Sequence, residues 1–131
     1  MVEPIEPPNS RVERARLQRI DVYGAETENA AGARVVLLFD GVPLFKHKQL
    51  PTEGILPPRI AIELEDAEWD ASVPVSQSVE RGGLQRVRLA TPNPRVVLDL
   101  YPTATGRVFF LTDPYRIVVD DGKLMVRYRP G

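Results

Sequence analysis

Apolar and polar residues alternate along this chain in short runs, and glycine, proline and aspartate separate the runs. Leu17-Gln18-Arg19-Ile20-Asp21-Val22 has the two-residue period of a half-buried strand. Arg34 to Phe39 is β-branched and apolar, and Asp40-Gly41 follows it with the chemistry of a tight turn. Leu44 to Gln49 and Arg59 to Leu64 give a third and a fourth segment, divided by a loop rich in proline from Pro51 to Pro58. After Gly82-Gly83 the pattern returns over Leu84 to Leu89, Arg95 to Tyr101, Arg107 to Leu111 and Tyr115 to Asp120. Leu124 to Tyr128 offers a last edge strand. Glu65 to Val79, which holds the only tryptophan, Trp69, receives no assignment. Helix is expected only at Ser10 to Arg16, where Ser10 is placed to cap a short charged turn.

The second half repeats the first in order. Leu17-Gln18-Arg19-Ile20 returns as Leu84-Gln85-Arg86-Val87, and Arg34-Val35-Val36-Leu37 as Arg95-Val96-Val97-Leu98. Pro57-Pro58-Arg59-Ile60-Ala61-Ile62-Glu63 returns as Pro114-Tyr115-Arg116-Ile117-Val118-Val119-Asp120. The spacing shrinks from match to match, so the second copy uses shorter loops between the same elements, as a duplicated β unit tolerates. The expected fold is all-β, a β-sandwich of two four-stranded sheets, one from each copy, packed through their apolar faces. The expected division within one domain is an extension over 1–16, repeat one over 17–66, a connector over 67–83, repeat two over 84–121 and an edge strand over 122–131.

Alternation assigns the faces. Val35, Leu37, Phe39, Ile60, Ile62, Leu64, Val96, Leu98, Leu100, Ile117 and Val119 point inward. Arg34, Val36, Leu38, Arg59, Ala61 and Glu63 point outward in the first copy, and Arg95, Val97, Asp99, Arg116, Val118 and Asp120 in the second. Each half is thus expected to display two arginines and at least one carboxylate around a small apolar patch. Opposite charges on neighbouring strands support a sheet and keep its surface soluble, which is one reading. The other rests on the choice of base: 14 of the 17 basic residues are arginine, whose planar fork grips carboxylates bidentately.

Composition narrows the function classes. At 131 residues and 14.7 kDa the chain is one domain, able to bury roughly two-thirds of its unfolded surface. Seventeen bases against 18 acids leave a net charge of −1, without the long-range pull of a nucleic-acid binder. Zero cysteines exclude disulfides, thiolate zinc sites and a cysteine nucleophile, and the single histidine, His47, leaves a multi-histidine metal site or a Ser-His-Asp triad hard to assemble. His47 sits in the basic run Phe45-Lys46-His47-Lys48 and is expected to face solvent. Thirteen prolines and nine glycines argue against long helices. No apolar run approaches the roughly 18 residues of a membrane helix, and the first ten residues lack secretory features; the chain reads as an excised domain. No phosphate loop, metal spacing or nucleophile elbow is present, and nothing in the sequence would raise one carboxyl pKa for glycosidase chemistry. Asp120-Asp121 before Gly122 reads as a hairpin turn. Trp69 and Tyr115 are able to stack on a sugar ring but read first as packing residues.

Arg95-Val96-Val97-Leu98-Asp99-Leu100, then Val108-Phe109-Phe110-Leu111, then Asp113-Pro114-Tyr115-Arg116-Ile117-Val118-Val119-Asp120 together resemble the AMIN domain. That module stands at the front of bacterial N-acetylmuramoyl-L-alanine amidases and in type IV pilus secretins. The resemblance covers Leu17 to about Tyr128. It implies a sandwich of two four-stranded sheets and a non-catalytic role, binding peptidoglycan and so localising the carrier in the periplasm or at the septum. Carried over by position, the ligand-binding residues would be Arg95, Val97, Asp99, Arg116 and Asp120, with Arg34, Val36, Arg59 and Glu63 in the first copy. Leu38 stands where the family pattern has an acid, and the loop from Leu50 to Pro58 is long.

The function expected is therefore a monomeric, cofactor-free and metal-free wall-targeting module of the cell envelope, with no nucleic-acid partner. Muropeptide stems carry carboxylates that arginine forks can hold, and glycan faces can rest on small apolar and aromatic groups. The alternatives are an assembly module of an envelope complex, recruiting a partner by strand addition at Arg127 and Tyr128, and an enzyme.

Overall fold

The computed structural model describes residues 15–26, 30–102 and 104–124. Among them there is no helix. Ten strands run in chain order: β1 (Arg16–Glu26), β2 (Ala30–Phe39), β3 (Leu44–Leu50), β4 (Arg59–Glu65), β5 (Glu68–Trp69), β6 (Ser76–Arg81), β7 (Leu84–Ala90), β8 (Arg95–Leu100), β9 (Thr105–Leu111) and β10 (Tyr115–Leu124). They form two five-stranded sheets, ordered β5-β1-β2-β10-β9 and β3-β4-β8-β7-β6. All pairings are antiparallel except the short β1–β5 contact.

The inward residues assigned by alternation are all buried. Val35, Leu37, Ile60, Ile62, Val96, Leu98, Ile117 and Val119 have no exposed surface, and they join Phe39, Leu64 and Leu100 in one cluster fed by both sheets. Burying a Val, Leu, Ile or Phe side chain is worth about 1.5–3 kcal/mol, so this cluster supplies the main force holding the sheets together. At one margin the edge strands meet: the Phe45 and Phe110 rings lie 6.2 Å apart, and Gln49 Nε2 donates to the Gly106 carbonyl at 3.0 Å. At the other, Arg16 clamps β5 to β1 through Glu68 and Asp70 at 3.1 and 3.2 Å.

Several expectations are corrected. The sheets have five strands, because the connector over 67–83 contributes β5 and β6 to their edges. Neither sheet belongs to one half of the chain: β1 and β2 pair with β9 and β10, while β3 and β4 pair with β7 and β8. Asp40-Gly41 is a corner that carries the chain from one sheet to the other, and the Asp40 carboxylate accepts the Arg16 backbone N–H at 2.7 Å. Asp120-Asp121-Gly122 is no turn but the continuation of β10, which is paired on both sides. Gly122 is therefore paired on both sides, whereas Lys123 and Leu124 pair with β2 alone; the proposed edge strand past Leu124 falls outside the described residues, as does most of the Ser10 to Arg16 turn, whose last residue opens β1.

Candidate functional site

Strand exchange between the halves decides which outward residues become neighbours. On the first sheet, register builds three rows across β1, β2, β10 and β9: Tyr23–Arg34–Asp120–Arg107, Asp21–Val36–Val118–Phe109, and Arg19–Leu38–Arg116–Leu111. On the second, β7, β8, β4 and β3 build Ala90–Arg95–Glu63–Lys46, Arg88–Val97–Ala61–Lys48, and Arg86–Asp99–Arg59–Leu50. The segments matched in the sequence occupy corresponding places in the two grids. Arg34, Val36, Arg116 and Asp120 thus share one face, and Arg59, Glu63, Arg95, Val97 and Asp99 the other. The expectation that each half displays its own face is corrected, because the central pairs of both sheets, β2–β10 and β4–β8, join the two halves.

The first face forms an open groove of about 720 Å³ whose lining includes Arg19, Tyr23, Arg34, Val36, Leu38 and Arg116. Arg34 is committed: its Nε and Nη2 grip both oxygens of Asp120 at 2.6 and 2.8 Å, and its guanidinium stands 5.9 Å from the Phe109 ring centre. That hydrogen-bonded pair holds the Asp120 carboxyl below the usual range. Arg19 turns to Asp21 at 2.8 Å. Arg116 has no acid in its row, since Leu38 and Leu111 are its cross-strand neighbours; among the described residues it donates only to the Pro114 and Thr112 carbonyls, at 3.1 and 3.3 Å.

The second face forms a groove of about 930 Å³. Here Asp99 stands at the place that Leu38 holds in the first grid, and Arg88 grips both its oxygens at 2.7 and 2.9 Å. Glu63 lies directly across from Arg95 but pairs with Lys48 at 3.0 Å. Arg95 therefore keeps its fork free of carboxylate and donates to the Asn93 carbonyl at 3.2 Å. Val97, Ala61 and, on the first face, Val118 are buried although they point outward; none belongs to the core cluster. The long side chains beside them cover them, as arginine and lysine stems do on sheets. Asp99 and Arg59, in the neighbouring row, are buried as well.

The other candidates fall into place. Asp120 and Asp121 alternate to opposite faces of β10 and form no chelating pair, and among the described residues no group of three or more metal-binding side chains gathers. His47 is exposed on β3. Tyr115 packs inward, its ring stacked on Phe110 at 6.2 Å, and Trp69 packs against the core from β5. Arg19, Tyr23, Lys48 and Arg88 were missing from the sequence-derived set, although alternation in β1, β3 and β7 places them on the same faces. No family model, curated protein or solved structure matches the chain.

Proposed function

We propose that the chain is a non-catalytic, AMIN-like module of the bacterial cell envelope that binds peptidoglycan and localises a larger amidase- or secretin-type protein at the wall or septum. In this reading the two sheets are the layers of a sandwich that arose by duplication. The corresponding grids and the shared core support it. One observation carries the functional reading: on each outward face one motif arginine, Arg116 or Arg95, has donors that among the described residues reach only turn carbonyls, Arg116 having no acid across from it and Arg95 facing a Glu63 that pairs with Lys48.

An arginine fork without a carboxylate is a receptor for one. Peptide stems of the wall supply that group, and the apolar floor, Val36 and Leu38 on one face and Ala61 and Val97 on the other, suits the carbon skeleton beside it. Exposed Tyr23 at the rim of the first groove offers a sugar a ring to rest on. The test is pelleting with insoluble sacculi. The parent domain sediments with them, and Arg95→Ala/Arg116→Ala binds at least about tenfold more weakly, each lost charge-assisted contact being worth roughly 1.5–3 kcal/mol, while its circular dichroism stays that of the parent. A double variant that pellets as well as the parent removes these two forks from the site. A parent domain that stays in the supernatant removes the wall as ligand.

A further inference from the structure

Arg59 is the most confined cation on either face. Its side chain is 8% exposed and lines the second groove. A buried guanidinium requires partners for its five donors. Its direct neighbour across the β4–β8 pair is Asp99, yet both oxygens of Asp99 are engaged by Arg88. Nη1 of Arg59 is buried and makes no hydrogen bond. Nη2 reaches only Glu53 Oε2 at 3.7 Å, a carboxylate that is 78% exposed. This pair is longer than a hydrogen bond, and an exposed partner contributes little.

Glu53 belongs to the loop between β3 and β4. That loop is closed on itself by reciprocal backbone hydrogen bonds between Glu53 and Leu56, 3.0 and 2.9 Å long. Gly54 takes a left-handed conformation, φ +59°, and Ile55 is fully exposed at the tip. The loop brings its acid within 3.7 Å of Arg59, which lines the groove together with Lys48 and Arg88. The sequence match aligns Arg59 with Arg116, and the shorter loop before Arg116 has no counterpart of Glu53 in the ion pairs of the first face.

We propose that Arg59 is the anchor for the terminal carboxylate of a peptide, and that Glu53 is its internal competitor, holding the guanidinium loosely until a ligand carboxylate displaces it. The site deepens the wall-binding reading, in which that carboxylate ends a stem peptide, but a protein C-terminus has the same chemistry. Binding through Arg59 changes the surroundings of Glu53 and releases the loop from the groove.

Titration of the full chain with N-acetyl-alanyl-alanine and with its C-terminal amide, followed by amide and arginine side-chain NMR, tests this. The free acid shifts the Arg59 Nε and the Glu53 and Leu56 amides; the amidated peptide does not. Glu53→Gln, a substitution on an exposed loop, tightens binding of the acid about two- to fivefold, the range an exposed ion pair gives when removed as a competitor. Equal shifts from acid and amide, or weaker binding by Glu53→Gln, overturn the assignment. Soluble muropeptides and a protein-derived C-terminal peptide in parallel titrations distinguish the two sources. Failure of sacculi to sediment the domain sinks the wall reading alone, whereas retention on sacculi with an unmoved Glu53→Gln titration sinks the competitor alone.

Discussion

Asp120 and Asp121 are chain neighbours whose carboxyls are driven in opposite directions, because alternation along β10 sends them to opposite faces of the sheet. Outward, the Arg34 hydrogen bonds stabilise the Asp120 carboxylate. Inward, burial pushes Asp121 up to about 7, against the lowering effect of the Ala33 and Gly83 backbone N–H groups; the Ala33 N–H donates to Oδ1 at 3.2 Å, and Oδ2 has no partner. An unfolded aspartate ionises near pH 4, so between about pH 4 and 7 the folded chain holds a proton at Asp121 that the unfolded chain has lost. The contribution of Asp121 to stability is intact below that window and falls as pH rises through it, whereas that of Asp120 is present above about pH 4 and is lost as pH drops. Asp121→Asn keeps the acceptor for Ala33 and removes the titration. It should gain about 1–3 kcal/mol at pH 8 and flatten the decline between pH 4 and 7 in urea-unfolding midpoints. Parallel curves for variant and parent across that window would show that Asp121 does not titrate there.

At the scale of elements, eight strands from Leu17 to Asp120 are legible in the sequence because alternation and turn chemistry are local signals. Their partners are not. Arg34 and Asp120 are 86 residues apart, and nothing around either says that β2 takes β10 rather than β3 as its neighbour. For the same reason the candidate residues were identifiable one by one, while their division into two faces was not. Asp120-Asp121-Gly122 misleads because turn residues also occur inside a strand that is paired on both sides. The Glu53–Arg59 contact is not legible either, because a loop residue carries no periodicity to announce its partner. The turn at Gly82 is a further case: its composition is evident, its packing is not. Gly82 has φ +58°, and a Cβ built there would lie 2.5 Å from the Gly32 carbonyl carbon of β2, so the β6–β7 turn rests on the opposite sheet backbone to backbone. Gly82→Ala should cost about 2–4 kcal/mol, since both strain and a rigid clash are imposed. Gly106→Ala, whose new methyl meets the end of the Ile60 side chain, should cost less, about 1–2 kcal/mol. Equal thermal midpoints for the two variants would contradict this reading of the Gly82 contact.

For the whole molecule, the proposed function turns on having two faces directed away from one shared core. The grids correspond in register but differ in detail: Leu38 leaves Arg116 without an acid, whereas Asp99 occupies Arg88 and leaves Arg59 to Glu53. On the proposed function the faces are therefore corresponding but unequal receptors, each shallow and solvated, and each alone should bind weakly. A polymer changes this, because a second face engages at the high local concentration set by the first. Arg116→Ala alone should then lower retention on sacculi by about tenfold or more, and Arg95→Ala alone likewise, since either removes the bivalent mode. Binding of a small soluble muropeptide behaves differently: each single variant keeps the affinity of its intact face and loses one site in stoichiometry, read by calorimetry. If a single substitution weakens sacculus and soluble fragment by the same factor, the two faces do not cooperate on the polymer, and one face accounts for all the binding. The charge balance accords with this design, since a net charge of −1 supplies no long-range attraction to an anionic wall and leaves retention to the local pairing of forks with carboxylates. Added salt should accordingly weaken pelleting of the parent far less than loss of one arginine does.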